Sequence, residues 1–534
     1  MTSNLDADVV VVGSGVAGSL VAYELARAGL SVLILEAGPR LSRDVLVDRF
    51  RAAPEKHFMA PYPPHYWAPH PTPDDWGAYL IQAGPVAYNN QYIRAVGGTT
   101  WHWAAAAWRL LPSDFKLRSL YGVGRDWPLD YNFLEPYYGR AEREMGVAGE
   151  GGALDPPRSS AFPLPPIPLS TMDQYLVRKL SPAGLTTVTE PVARYTKPFR
   201  GRPPCCGNNN CMPICPIGAQ YSGDLHVRLA EEAGARLIEN AVANFIDVGP
   251  ERRVQAIHYK DPLQATHTVR GRVFILACNG IETPKLMLIS KSERTSTGVG
   301  NSSDMVGRNL MDHPGVGANM VIREPVYPGR GPQEITSVVS LRDGAFRRHF
   351  AARKYHFANR VDTLEITQNA LDEGLLGSRL DNRIRDVSIR RLRVDSFHEQ
   401  LPDPSNRIVP SETLMDPIGI PRPVIRYSID EYVRRSAEET RNDYKRIADV
   451  LGATEITFDE DWVRNNHLVG TTVMGGDPRN SVVDRDCRSH DHPNLFIAGS
   501  STFPSIASVN PTLTIAALSL LIADVVRASI RELE

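Results

Sequence analysis

The first 36 residues predict one β–α–β unit, and this unit restricts the fold more than any other part of the chain. It consists of the apolar run Val9–Val12, the glycines Gly13, Gly15 and Gly18, the helical stretch Ser19–Ala28, the apolar run Ser31–Leu35 and the terminal acid Glu36. The glycines permit a tight turn and a close approach of the backbone to a pyrophosphate, which the free N–H groups of the helix N-terminus attract. Glu36 stands where a ribose hydroxyl needs an acceptor. The pattern predicts a dinucleotide-binding α/β fold.

Two further observations indicate which dinucleotide is bound. The segment Leu35-Glu36-Ala37-Gly38-Pro39 resembles the corresponding segment of FAD enzymes. The sequence has no second Gly-x-Gly-x-x-Gly motif, which argues against a flavoprotein reductase that also holds a nicotinamide. We therefore predict FAD.

Four of the six cysteines lie in one Gly/Asn-rich loop. They are Cys205, Cys206, Cys211 and Cys215. This arrangement is typical of an iron–sulfur site, whereas structural zinc usually uses two separated Cys-x-x-Cys pairs. Zinc, disulfides and an empty thiol cluster are the alternatives, although a bond between adjacent cysteines would be strained. The remaining two, Cys278 and Cys487, are interpreted as buried small hydrophobes.

Charge and hydropathy argue against several kinds of partner. Lys+Arg 59 against Asp+Glu 61 gives a formal net charge of −2, so neither nucleic acid nor an anionic membrane surface is expected to bind. The polar segment Met1–Asp8 has no signal-peptide pattern. The apolar stretch Leu513–Val526 is expected to be too short for a transmembrane helix, and it contains Asp524. We expect membrane association only through a partner.

Two kinds of pattern divide the chain into two domains. We assign residues 1–120, 200–314 and 455–534 to a discontinuous FAD-binding domain that contains the cysteine loop 205–216. Short alternating strands between Gly315 and Tyr427, with a charged helical interval at Ala370–Arg393, indicate an inserted domain on an antiparallel sheet. We assign residues 121–199 and 315–454 to this substrate-binding domain and cap. The fold class is α/β, or α+β over the whole chain.

Several sequence blocks together resemble the glucose–methanol–choline oxidoreductase family from end to end. Besides the N-terminal fingerprint, they are Gly97-Gly98-Thr99-Thr100, Ala277–Pro284, Val306–Pro314, His467–Thr471 and Asn510-Pro511-Thr512. The blocks occur in the family's order. Within the family, the cysteine loop and Gly97–Trp103 are similar to the catalytic subunits of bacterial FAD-dependent dehydrogenases acting on glucose, fructose, gluconate or sorbitol.

The resemblance implies hydride transfer from an alcohol carbon to N5 of FAD. A base removes the hydroxyl proton as the hydride leaves, and imidazole has a suitable pKa. His467 matches the family's catalytic histidine, and Asn510 matches a second position at which members carry His or Asn. Because an amide is a poor base, we expect Asn510 to hold the substrate oxygen and His467 to take the proton. His313 belongs to a block that the family uses structurally.

The resemblance also assigns the cofactor contacts. They are Gly13, Gly15, Gly18, Glu36, Arg94, Gly97, Gly98, Thr100, His102, Trp103, Val242, Asn279, Gly499, Asn510 and Thr512. Some members attach FAD covalently through a histidine in Gly-Gly-x-x-x-His, and Gly97–His102 has that spacing. A covalent bond to His102 and simple packing of His102 and Trp103 on the flavin ring both fit the sequence.

For the cysteine loop, the resemblance implies a 3Fe–4S cluster held by Cys205, Cys206 and Cys211. Cys215 is the alternative fourth ligand, which would make the cluster 4Fe–4S. Electrons are then expected to leave one at a time to a multihaem cytochrome c subunit. A small chaperone-like subunit with an export signal is also implied. These partners would hold the enzyme at the periplasmic side of the bacterial inner membrane after cytoplasmic folding and cofactor insertion.

The substrate expected from the resemblance is a sugar or polyol, with an aldose such as glucose placed first. Fructose, gluconate and sorbitol are the alternatives, because the inserted domain carries no readable code for one sugar. A family oxidase would have no use for the cysteine loop. An iron–sulfur reductase using NAD(P)H would lack its second nucleotide site, and a non-catalytic redox subunit would leave His467 without a role.

Overall fold

The computed structural model describes residues 5–152 and 154–531. Its strands are β1 (Ala7–Val12), β2 (Val32–Leu35), β3 (Ile81–Gln82), β4 (Thr187–Thr189), β5 (Arg236–Ile238), β6 (Val242–Val248), β7 (Val254–Lys260), β8 (Thr266–Leu276), β9 (Gly317–Ile322), β10 (Glu334–Val338), β11 (Arg353–Ala358), β12 (Arg391–His398), β13 (Arg407–Met415), β14 (Pro421–Arg426), β15 (Ala453–Phe458) and β16 (Leu495–Ile497). Its α-helices are α1 (Val16–Arg27), α2 (Arg43–Ala52), α3 (Leu117–Tyr121), α4 (Tyr131–Met145), α5 (Thr171–Leu180), α6 (Asp224–Glu232), α7 (Asn279–Ile289), α8 (Thr363–Asp372), α9 (Ser378–Ser388), α10 (Glu431–Leu451) and α11 (Thr512–Ser529). Residues 1–4, which begin the segment without a signal-peptide pattern, lie outside the described residues.

Parallel strands form the centre of the first sheet. Its order is β5-β2-β1-β8-β7-β6, and β16 pairs with β8 as well. The strands β5, β2, β1, β8 and β16 run parallel, and β7 and β6 continue the sheet in antiparallel fashion. Val9, Val10 and Val11 are completely buried, which explains an unbroken run of β-branched residues in place of alternation. The arrangement confirms the predicted Rossmann-like α/β fold.

The glycine turn between β1 and α1 leaves no room for side chains. Gly13 has a φ of +101°, and a Cβ there would lie 2.5 Å from the carbonyl oxygen of Ala277, just after β8. A Cβ on Gly18 would lie 1.9 Å from the carbonyl oxygen of Gly13. Backbone therefore packs directly on backbone, and the N-terminus of α1 reaches the carboxyl ends of the parallel strands.

The second sheet is antiparallel throughout, in the order β15-β9-β12-β11-β10-β4. Helix α10 packs on this sheet and contributes Tyr444, Ile447 and Leu451 to its hydrophobic core. This confirms the expected antiparallel sheet of the inserted part. Strand β15 spans residues 453–458 and so runs across the expected boundary at residues 454 and 455, which stays a prediction.

Segments assigned to different domains contact each other directly. Strand β3, from the first 120 residues, pairs in parallel with β14, which also pairs with β13. Helix α4 packs against α11, where Tyr138 Oη lies 2.8 Å from Thr514 Oγ1. Tyr138 and Ala141 belong to the core around β1 and β8, so residues 131–145 lie on the parallel sheet and not with the cap. The remaining domain limits stay predictions.

The interval Ala370–Arg393 is not one continuous helix. Helices α8 and α9 are separated by Gly374 and Gly377, whose φ angles of +77° and +55° interrupt the helical backbone. Residues Arg391–Arg393 already belong to β12. The charged interval 370–393 therefore contains two helices followed by the start of a strand.

The apolar stretch near the C-terminus forms an 18-residue helix, α11, that is longer than the expected Leu513–Val526. By length and composition it is the one helix within the described ranges that could cross a membrane, so the expectation that this stretch is too short is wrong. Most of α11 is buried inside the protein, where it belongs to the core around β1 and β8. This core position accounts for its apolar composition.

A buried arginine connects the N-terminal part of the chain to the antiparallel sheet. Arg347 is completely buried, and its Nη2 lies 2.5 Å from Glu399 Oε1 and 2.9 Å from Asp114 Oδ1. Glu399 directly follows β12, whereas Asp114 precedes α3. Because an unpaired charge is costly in this environment, the three side chains stabilise each other's burial.

Replacing Arg347 by methionine leaves Asp114 and Glu399 buried without their cation. We expect Arg347→Met to lower the free energy of unfolding by about 3–5 kcal/mol, measured by urea denaturation. Arg348→Met, at the exposed neighbouring position, is the control and should cost less than about 0.5 kcal/mol. Equal losses in both variants would contradict the linking role of Arg347.

Candidate active site

A cavity of about 440 Å³ extends from the glycine turn to the antiparallel sheet. Glu36 lines it at one end, and His467 and Phe397 line it at the other. The predicted site residues that line it are Gly13, Gly15, Glu36, Arg94, Gly98, Thr100, His102, Trp103, Asn279, His467, Gly499, Asn510 and Thr512. The cavity lies at the carboxyl ends of the parallel strands, where α/β folds bind nucleotides.

Three of the predicted cofactor contacts do not line the cavity: Gly18, Gly97 and Val242. Gly18 packs against the backbone of Gly13, and a Cβ on Gly97 would lie 2.7 Å from the backbone nitrogen of Asp224, at the start of α6. Ala241 and Ala243 line the cavity, so the side chain of Val242 between them faces away, as expected from alternation along a strand. These positions shape the cavity walls.

The carboxylate of Glu36 is held beside the glycine turn. Its Oε2 accepts hydrogen bonds from the backbone N–H (2.9 Å) and the hydroxyl (2.6 Å) of Ser14, and its Oε1 accepts one from the N–H of Gly38 (3.0 Å). Burial raises the pKa of Glu36, and these hydrogen bonds act in the opposite direction. The side chain is fixed as an acceptor facing the cavity, which suits a ribose contact.

A buried charged cluster lines the cavity near this end. Glu282 accepts hydrogen bonds from Tyr79 (2.7 Å) and Tyr92 (2.6 Å), pairs with Lys285 at 2.7 Å, and lies 3.6 Å from Arg94. Burial opposes ionisation, but Lys285 and Arg94 lower the pKa of Glu282 to about 2. Arg94 and Lys285 are the cations that this wall can offer to an anionic cofactor, and Glu282 keeps them in place. The i,i+3 spacing of Glu282 and Lys285 is the sequence signal that could have revealed the cluster.

Two histidines meet at the opposite end. The Nδ1 atoms of His313 and His467 are 2.7 Å apart, and His313 Nε2 lies 3.1 Å from the carbonyl oxygen of Ala507. A carbonyl only accepts, so His313 carries its proton on Nε2 and offers a lone pair at Nδ1. His467 must then donate from Nδ1. The hydrogen bonds therefore assign His467 the tautomer in which Nε2 is the free base.

Both imidazoles are neutral. Burial lowers the pKa of His313 to about 3. Burial, together with the neighbouring His313, Lys354 and His356, lowers the pKa of His467 well below its usual value. His313 does not line the cavity and acts through His467, so its block contributes to positioning the base as well as to structure.

The loop carrying His467 is fixed by Asp312. The backbone N–H of His467 donates to Asp312 Oδ1 at 3.0 Å, and Asn90 Nδ2 donates to Asp312 Oδ2 at 2.5 Å. Ligand atoms of Asp312, His313 and His467 lie within 4.8 Å of one another, a spacing compatible with a metal ion. The shared proton between the two imidazoles occupies that space, so the group serves to orient His467.

Asn510 contacts the base from the cavity wall. Its Nδ2 lies 3.3 Å from His467 Nε2, and its Oδ1 lies 3.5 Å from Lys354 Nζ. Lys354 is buried and pairs with Glu190 at 3.2 Å. Because an ammonium group only donates, Lys354 holds the amide with Oδ1 towards itself and Nδ2 towards the base. No sequence motif marks Lys354 or Glu190, and neither was predicted.

His102 lines the cavity with an unpartnered ring atom. Its Nε2 is buried and has no hydrogen-bond partner among the described residues. Burial lowers the pKa of His102 to about 4, so the ring is neutral. An unsatisfied neutral nitrogen at this place fits a contact with a bound flavin, whether covalent or packed.

The four loop cysteines are free thiols that differ in exposure. Cys206 is exposed, Cys205 is half-buried, and Cys211 and Cys215 are buried. Cys205 Sγ accepts a 3.4 Å hydrogen bond from the N–H of Gly207. Burial raises the pKa of Cys205, and Cys211 and Cys215 are close enough to act on it in the same sense. This donor set fits an iron–sulfur cluster.

Models of known families match most of the elements described above. Two models described as GMC oxidoreductase match residues 190–315 and 402–519, and one described as an NAD(P)-binding Rossmann-like domain matches residues 11–80. The fold and cavity define an FAD-dependent oxidoreductase that acts on CH–OH donors. The chain belongs to the GMC oxidoreductase family, as the resemblance predicted.

Relatives match over nearly the whole chain. The fructose dehydrogenase large subunit of Gluconobacter japonicus is 45% identical over 538 residues, covering 99% of this chain and 99% of that protein. Paromamine 6'-oxidase of Streptomyces fradiae is 30% identical over 544 residues, covering 96% of this chain and 90% of that protein. A crystal structure of formate oxidase shares the fold, with a TM-score of 0.70, 15% identity and 100% of both chains covered.

The contact from Lys354 to Asn510 should control both rate and pH dependence. The double variant Lys354→Met/Glu190→Gln removes both charges of the buried pair, so neither is left without its partner. The side-chain amide of Asn510 then loses its contact with Lys354. We expect flavin reduction by substrate to slow about tenfold or more, measured by stopped flow. The charge of Lys354 contributes to the low pKa of His467, so its removal raises that pKa and moves the acid limb of the pH–rate profile to higher pH.

The conservative variant Lys354→Arg keeps the charge and serves as the control. The acid limb of its pH–rate profile should lie at the same pH as in the unchanged protein. An unaltered acid limb in the double variant would contradict the electrostatic role of Lys354.

Proposed function

We propose that this protein is a sugar or polyol dehydrogenase that passes electrons to an acceptor other than oxygen. The observation that carries the proposal is the unprotonated Nε2 of His467, which lies at the cavity wall beside Asn510. The 45% identity to a fructose dehydrogenase large subunit supports fructose as the first candidate substrate, ahead of the glucose favoured by the sequence resemblance.

His467 and Asn510 have different roles towards a substrate hydroxyl. Nε2 of His467 accepts the hydroxyl proton, because its Nδ1 proton is engaged with His313. Asn510 Nδ2 donates a hydrogen bond to the substrate oxygen, held in that orientation by Lys354. When bound, FAD supplies the acceptor for the hydride of the substrate carbon. The unpartnered Nε2 of His102 is the atom we propose for a flavin contact or covalent bond.

Polar side chains near His467 suit a substrate with several hydroxyl groups. Glu334, His356 and Asp395 line the cavity, with His356 Nε2 at 3.8 Å from Glu334 Oε1 and 3.9 Å from Asp395 Oδ2. His356 Nδ1 is buried and has no partner within the described part of the chain. Carboxylates accept and an imidazole donates or accepts, which supports a polyhydroxylated ligand over a simple alcohol.

We further propose that Cys205, Cys206 and Cys211 hold an iron–sulfur cluster, with Cys215 as the alternative fourth ligand. The four thiols lie in one loop, and Cys211 and Cys215 are close enough to Cys205 to interact with it. When bound, a cluster supplies one-electron acceptors between FAD and an outside partner. A multihaem cytochrome c subunit, a small chaperone-like subunit and a periplasmic location belong to the same proposal, supported by a relative that is a large subunit.

Substrate and base can be tested together under anaerobic conditions. Mixing the purified holoenzyme with fructose, glucose, gluconate and sorbitol should bleach the flavin with at least one of them. His467→Ala should slow this bleaching by about 10²–10⁴-fold because the hydroxyl proton has no acceptor. His349→Ala, an exposed histidine, is the control and should bleach at the unchanged rate.

Two outcomes would contradict the proposal. Normal bleaching in His467→Ala would exclude His467 as the base. Stoichiometric hydrogen peroxide on aerobic turnover would instead favour an oxidase, the activity named for the Streptomyces fradiae relative.

The ligand set can be tested by iron content. Cys205→Ser, Cys206→Ser and Cys211→Ser should each lose most of the bound iron, because each variant removes one proposed thiolate ligand. The matched variant Cys215→Ser, in the same loop, should retain it. Iron lost in Cys215→Ser as well would make Cys215 the fourth ligand, whereas iron retained in Cys206→Ser would contradict the proposed set.

A further inference from the structure

Arg194 is a buried cation with most of its hydrogen-bonding capacity unused. Its exposed fraction is 1%, and its Nη2 donates to the carbonyl oxygen of Ala104 (3.1 Å) and to Gln220 Oε1 (3.2 Å). Its Nε and Nη1 are buried with no hydrogen-bond partner, and among the described residues no carboxylate pairs with it. A guanidinium is always charged and has five N–H donors, so its Nε and Nη1 can donate to an acceptor that the described residues do not supply.

The position of Arg194 indicates where that acceptor lies. The backbone N–H of Cys205 donates to the carbonyl oxygen of Tyr195, the next residue, at 2.7 Å. Gln220, which accepts from Arg194, donates to the carbonyl oxygen of Trp103 at 2.6 Å and to that of Cys211 at 3.4 Å. Arg194 therefore lies between the cavity wall and the cysteine loop.

The electrostatics agree with this placement. Cys205 Sγ accepts a hydrogen bond from the N–H of Gly207 at 3.4 Å, and Arg194 is near enough to Cys205 to interact with it electrostatically. Two other buried arginines differ from Arg194, since Arg347 pairs with Glu399 and Arg353 pairs with Asp443.

We propose that Arg194 is the counter-charge of the iron–sulfur cluster, with its free Nε and Nη1 donors directed at the cluster's anionic sulfur. This inference rests on the proposed function, because it requires the cluster. Sulfur ligands in thiolate–iron clusters carry negative charge, and hydrogen bonds to sulfur together with net charge set the reduction potential. Arg194 therefore raises the potential of the cluster.

The step concerned is the transfer of one electron from reduced FAD, which the oxidation of substrate supplies. No bond to the protein forms or breaks, and the cluster gains one negative charge. A fixed cation beside it stabilises the reduced form more than the oxidised form. Arg194 thus favours electron flow away from the flavin.

The potential of the cluster is the direct measurement. The purified holoenzyme and its Arg194→Gln variant are titrated with redox mediators, and the electron paramagnetic resonance signal of the cluster is followed. We expect Arg194→Gln to shift the equilibrium towards the oxidised cluster by at least tenfold, about 59 mV for one electron. Arg194→Lys keeps the charge and should stay closer to the unchanged protein.

Arg342→Gln is the matched control. Arg342 is also buried, with an unpartnered Nε, but its neighbouring charges are Asp114, Asp155, Arg347 and Asp343 and include no cysteine. The reduction potential of the cluster should be the same in Arg342→Gln as in the unchanged protein. Flavin bleaching by substrate in Arg194→Gln should also keep its rate, since the hydride step precedes the cluster.

Iron analysis separates the remaining outcomes. Loss of iron in Arg194→Gln but not in Arg194→Lys supports the counter-charge role. Loss of iron and a lower unfolding temperature in both variants would reduce Arg194 to a structural residue and overturn the inference. An unchanged cluster potential in iron-loaded Arg194→Gln would overturn the role of Arg194 but leave the proposed cluster intact. A wild-type holoenzyme without iron would overturn the proposed cluster itself.

Discussion

The contact of backbone with backbone at the glycine turn is the constraint on which the rest of the structure depends. With Gly13 against Ala277 and Gly18 against Gly13, helix α1 and the ends of β1 and β8 come together more closely than any side chain would allow. This closeness leaves the N-terminus of α1 pointing into the cavity. The walls contributed by Glu36, the Glu282 cluster and the antiparallel sheet are arranged around that point.

At the cavity, the neutral state of the two histidines is as important for the proposed reaction as the charged groups are. The bond between His313 and His467 requires one ring to donate and the other to accept at Nδ1, and two charged rings could not form it. Burial keeps both rings neutral, and Lys354 adds to that effect from behind Asn510. The same low-dielectric surroundings that weaken histidine as a cation preserve it as a proton acceptor.

Local patterns were sufficient for the elements that local chemistry determines. The strand–turn–helix at the N-terminus, the antiparallel character of the inserted part, and the family blocks with His467 and Asn510 could all be recognised in the sequence. Contacts between distant segments could not. His313 and His467 are 154 residues apart, and Lys354 and Asn510 are 156 apart, so no spacing rule connects them. Val242 shows the same limit at short range, because only the strand register reveals which of three neighbouring side chains faces inward.

The small sheet of β3, β13 and β14 ties one part of the cavity wall to a contact between distant segments. Ile420, directly before β14, lines the cavity, and Arg422 in β14 donates to the carbonyl oxygen of Tyr79 at 3.1 Å. This part of the wall is therefore complete only after residues near 80 have met residues near 420. A ligand that binds only the finished cavity adds its binding free energy to the stability of that pairing. Cofactor occupancy and the long-range assembly of the chain are thus thermodynamically linked.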